Sequence, residues 1–138
     1  MKKMNNKGFS LVELIIVIAI MAILIAVLAP QYIKYVEKSR QSADLDNWQS
    51  IVNAIQVAYA DTDKNITGQT TVTATNGSIT ATGAVSFQDY GVDVTKITLK
   101  SSLYRTGTLT ADTDTNGVVS LSLDSASTSL AAALGLSN

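Results

Sequence analysis

From Phe9 to Ala29 every position is apolar except Ser10 and Glu13. No charge and no glycine interrupts Leu14 to Ala29, and Pro30 closes the run. A helix of that length spans about 30 Å, the thickness of a bilayer's hydrocarbon core. Past Pro30 the pattern becomes amphipathic. Leu45, Trp48, Val52, Ile55 and Tyr59 recur at helical spacing, with Ile51 and Ala58 beside them, while Asp44, Asp46, Asn47, Gln49 and Asn53 lie mostly off that stripe. The pattern predicts one long helix from about Phe9 to Tyr59, its first half suited to a membrane and its second to a packed head. Pro30 lacks a backbone donor and is expected to bend or loosen it.

After Asp61 the chain turns to Thr, Ser, Gly, Val and Ala, a composition of strands and turns. Asn76-Gly77, flanked by Thr70–Thr75 and Ser78–Thr82, predicts a hairpin with a two-residue loop. That register pairs Ala74 with Ile79 and Val72 with Ala81 and puts all four on one face. Further strands are expected over Val94–Tyr104, Gly107–Ala111 and Val118–Leu123, the last with Val119, Leu121 and Leu123 inward. A short helix is expected near Leu130–Leu134. The fold class is α+β, a helical spine on an antiparallel sheet.

The chain has no cysteine and no histidine, which removes disulfides, thiol nucleophiles, imidazole bases and the usual zinc sites. It shows no phosphate-binding glycine loop and no catalytic constellation, so it does not read as an enzyme. Eleven acids against ten basic residues provide no basic face for nucleic acid.

The start of the apolar run carries the most specific signal. Lys2, Lys3 and Lys7 precede Gly8-Phe9-Ser10-Leu11-Val12-Glu13. A carboxylate at the start of a membrane helix is costly unless paired, and Glu13 lies one turn after Phe9 on the same side of the helix. A secretory signal has a shorter apolar core, and Pro30 is a poor residue to follow a cleavage site at Ala29. A plain anchor would not need the Gly8-Phe9 junction. The hexapeptide resembles the processing motif of type IV pilins and pseudopilins, the resemblance covering the leader and first helix, about a third of the chain.

The resemblance implies cleavage by a prepilin peptidase between Gly8 and Phe9, N-methylation of Phe9, and pairing of Glu13 with the N-terminal amine of a neighbouring subunit. Residues 1–8 would be a cleaved leader, 9–35 a membrane and filament-core helix, and 36–138 a globular head. Loss of the leader leaves seven basic residues against eleven acids. The expected function is a structural subunit of a type IV pilus, with itself, the peptidase, the assembly platform and motor, and the membrane as partners. It would move from cytoplasmic membrane to cell surface, where such fibres serve adhesion, motility, aggregation or DNA uptake. The alternative is a major pseudopilin of a secretion or competence system with calcium in its head.

Asp112-Thr113-Asp114-Thr115-Asn116-Gly117 bears on that alternative. Asp112, Asp114 and Asn116 match the first half of an EF-hand-type calcium loop, but the twelfth position is Leu123 in place of a bidentate glutamate. Asn116-Gly117 between two strands also reads as a hairpin turn. A turn without metal, and no cofactor, is the expectation.

Overall fold

A computed structural model describes residues 8–114 and 118–136. The order is a long helix α1 (Leu11–Ala60), strands β1 (Thr70–Thr75), β2 (Ser78–Gly83), β3 (Gly107–Thr113) and β4 (Val119–Leu123), and a short helix α2 (Thr128–Leu134). The four strands form one antiparallel sheet in the order β2-β1-β3-β4. The chain divides into two compact units, Met1–Val36 and Glu37–Asn138.

In the first unit the side chains of α1 have nothing to pack against. Between Leu11 and Val27 the large apolar residues keep 48–73% of their surface open. The helix is long and apolar enough to cross a membrane. It runs through Pro30 without a break. The missing N–H of Pro30 leaves the Ala26 carbonyl without its usual helical donor.

The second unit holds the core. Trp48, Ile51, Val52, Ala54, Ile55 and Ala58 of α1 form one buried cluster with Val72, Ala74, Ile79, Leu109, Ala111 and Leu123 of the sheet. The hairpin register is the expected one, Ala74 opposite Ile79 and Val72 opposite Ala81. Asn76 and Gly77 carry φ of 49° and 91°, the paired left-handed geometry of a type I′ turn that matches the strands' twist. A side chain at Gly77 would collide with the Leu99 carbonyl. Turn chemistry and close approach therefore both require glycine there.

Three expectations need correction. Val94–Tyr104 is not a strand: Val94–Lys96 forms a 3₁₀ turn capped by the Asp93 side chain, and Ser78–Thr98 is a single antiparallel bridge. Beyond the bridge, residues 100–102 take their hydrogen-bond partners from helix carboxylates instead of a neighbouring strand. β3 continues two residues past Ala111, so Asp112 is a strand residue. On α1 the buried stripe is turned towards Asp44, which is only 2% exposed, while Leu45 and Tyr59 are half-buried.

One face of the sheet packs in this core and the other meets solvent. Every outward position of the four strands is Thr or Ser, apart from Asp112.

Candidate functional site

Gly8, Phe9 and Ser10 precede the first turn of α1 and are not helical. Among the described residues nothing lies within 4 Å of a Cβ built at Gly8, and Phe9 is 90% exposed. The Gly8–Phe9 bond is therefore an accessible peptide in open chain just outside a helix, the form in which a protease can grip a substrate. The three leader lysines fall outside the described residues.

Ser10 is the N-cap residue, and its backbone N–H donates to Oε2 of Glu13 at 2.9 Å. Leu14 N–H donates in turn to the Ser10 carbonyl. This is the carboxylate half of a capping box, in which the third helical residue reaches back to a donor the helix would otherwise leave unpaired. The Ser10-Leu11-Val12-Glu13 spacing carries the S-x-x-E signature of that box, and it fixes Glu13 at the rim of the helix next to Phe9. The next charged residue along α1 is Lys34. Glu13 is thus a lone carboxylate on an apolar rod whose every side is open.

The acidic stretch at the end of β3 is built differently. Asp112 points out of the sheet; its Oδ1 accepts from the Thr113 N–H at 2.8 Å and its Oδ2 from Gln69 at 3.4 Å. Asp114 Oδ1 accepts from the Val118 N–H at 2.8 Å, and Asp114 N–H donates to the Val118 carbonyl, closing the base of the β3–β4 loop. Asn116 lies outside the described residues. Among those described, no group of three acidic, histidine or cysteine side chains is placed to hold a metal.

Comparison with known proteins places this helix start in a family. The family described as "Prokaryotic N-terminal methylation motif" matches residues 3–29. The type IV major pilin protein of Myxococcus xanthus is 37% identical over 60 residues, 44% of this chain and 27% of its own length. A type IV major fimbrial protein of Dichelobacter nodosus is 39% identical over 62 residues, 45% of this chain and 39% of its own length. The start of this chain is thus similar to the start of type IV major pilin and fimbrial proteins. A prepilin peptidase-dependent protein of Clostridium perfringens is 31% identical over 83 residues, covering 59% of both chains. Each match spans less than two thirds of its curated relative. No solved structure matches.

The second unit also carries a device that the sequence pattern did not disclose. Asp44, buried on α1, accepts from the Lys100 N–H through both carboxylate oxygens, at 3.0 and 2.9 Å, and from the Ser101 N–H at 2.6 Å. Two turns earlier Glu37 accepts from the Ser102 N–H and hydroxyl, both at 2.8 Å, and from the Ser101 hydroxyl at 3.1 Å. The Ser102 bonds hold the Glu37 carboxyl below its ordinary range, with a smaller contribution from Arg40. The Trp48 indole N–H, on the same side of the helix, donates to the Tyr104 carbonyl at 3.1 Å. Together these groups fasten the segment 100–104 to α1. Asp44 looks like a polar residue flanking the apolar stripe because its donors lie far along the chain; only the helical spacing Glu37, Asp44, Trp48 was there to be noticed.

Proposed function

We propose that this chain is the major structural subunit of a type IV pilus. The observation that carries the reading is the helix start: an accessible Gly8–Phe9 bond joined to a long helix open on all sides, with Glu13 its only charge before Lys34. In the membrane the apolar side chains face lipid. Prepilin peptidase removes residues 1–8, and the new amine at Phe9 is methylated and keeps its positive charge.

Assembly then exchanges lipid for the helices of other copies. Ser10 holds one oxygen of Glu13, and the other is offered to the Phe9 amine of an adjacent subunit. Each charge is costly to bury alone and tolerable as a pair, so entry into the growing base of the fibre is favoured over remaining in the bilayer. The assembly platform and its cytoplasmic motor lift the fibre to the cell surface, where it serves adhesion, motility, aggregation or DNA uptake.

We read the turn after β3 as a hairpin without metal, since Asp112 and Asp114 already accept backbone N–H groups. Calcium titration is expected to leave the head's melting temperature unchanged; a calcium-dependent rise would favour the pseudopilin alternative.

The deciding experiment is intact mass and N-terminal sequencing of protein sheared from cells. A chain beginning at methylated Phe9 and recovered in long fibres supports the reading. A chain beginning at Met1 in membranes, or at Pro30 in the medium, rejects it.

A further inference from the structure

The solvent face of the sheet is a patterned surface. Its registers align Thr82, Thr71, Thr110 and Ser122 across all four strands, and Thr80, Thr73 and Thr108 across three. Neighbouring strands stand about 4.8 Å apart and alternate residues about 6.7 Å apart, so the hydroxyls form a two-dimensional grid. No lysine or arginine projects from it, and Asp112 at one margin is its only charge. Elsewhere the chain from Phe9 onward carries seven basic residues and ten acids, so other surfaces of two copies repel.

We propose that this hydroxyl face is the lateral contact between pilus fibres, meeting the same face of a subunit in a second fibre; the inference rests on the filament reading above. A hydroxyl both donates and accepts, so a grid of them is complementary to its own copy, whereas a charged face is not. The absence of cations argues against an anionic polymer as the occupant. The face lies opposite the side that packs on the head's own stretch of α1, so within the head it is open to a partner. Size sets how it works. Four strands of about five residues cover on the order of 300 Å² per copy. Two such faces fall well short of the roughly 1,200 Å² of a stable pairwise interface. Single subunits therefore do not pair through it, whereas fibres repeating it at every subunit gain by avidity.

The test is electron microscopy of fibres sheared gently from cells, scored for yield and for side-by-side bundles. Wild-type fibres are expected to bundle. The double variant Thr73→Lys/Thr110→Lys, and the milder edge-strand pair Thr80→Lys/Ser122→Lys, should assemble in normal amounts with at least about tenfold fewer bundles. Mixing Thr73→Lys/Thr110→Lys fibres with Thr73→Glu/Thr110→Glu fibres should restore them. Wild-type fibres that stay single, lysine variants that bundle normally, or charge-opposite mixtures that stay dispersed would each overturn the proposal. So would wild-type fibres that leave each other alone and coat an ordered neutral polysaccharide through this face. Absence of any fibre would reject the filament reading itself, a result distinguishable from single fibres.

Discussion

The two halves of α1 share a backbone and oppose each other in every other respect. Up to Ile33 the helix is apolar on all sides and open on all sides. From Glu37 onward it buries a narrow stripe and places two carboxylates on the segment 100–102. In the first half the apolar side chains find no partner within the chain, and the single charge there caps the helix start through Ser10 and, in the proposed assembly, meets an amine of another copy. In the second half the partners belong to the same chain, and the charges serve the fold. Helical propensity does not distinguish them; the environment of the side chains does.

That contrast can be broken at either end. The largest effect is expected from Glu13→Ala. An amine left unpaired among apolar helices costs about 3–5 kcal/mol, which should lower fibre yield by at least roughly a hundredfold while the melting temperature of the detergent-solubilised chain stays put. Normal yield from that variant would sink the charge pairing. Trp48→Ala should do the reverse, costing the head about 3–5 kcal/mol in urea denaturation and leaving cleavage at Gly8 intact by mass.

Asp44→Ala comes next. It strands two backbone donors in a buried site and should cost about 3 kcal/mol by the same denaturation assay. A loss below about 1 kcal/mol would mean water replaces the carboxylate. Gly77→Ala, forced into φ near 91° against the Leu99 carbonyl, should cost about 2 kcal/mol. The smallest effect is acid sensitivity at Glu37. Its folded-state pKa is depressed, chiefly by Ser102, so its contribution is present above the unfolded value and lost as pH falls through the folded one. Head stability should therefore decline below about pH 4, and less steeply in Glu37→Gln. Asp89, lowered by Lys64, and Asp93, lowered by Lys96, titrate in the same window and keep the slope from vanishing.

What could be read from the residues was local. The hairpin register followed from Asn76-Gly77 and strict alternation, because a two-residue loop permits one pairing only. The helix followed from periodicity, and the processing motif from a compact string. The edges of what could be read are non-local. Val94–Tyr104 has strand-like composition, yet the N–H groups of residues 100–102 are satisfied by Asp44 and Glu37, which no window around residue 100 contains. Asp44 reads as a surface acid for the same reason. The capping box at Ser10 and Glu13 was legible in principle, since S-x-x-E is a local signature overshadowed by the motif that contains it.

The tie between Asp44, Glu37 and the segment after Thr98 also bears on the order in which the head comes together. Its bonds join residues 56 to 65 positions apart. Contacts that distant close late, after the local hairpin has formed and the sheet has brought residue 100 back to the helix. Interactions absent from the folding barrier act chiefly on the rate of escape from the native state. Loss of Asp44 should accordingly hasten unfolding far more than it slows folding. In the proposed cell-surface subunit the carboxylate clamp then acts as a slow-release fastener, setting how long the head stays shut once it has closed.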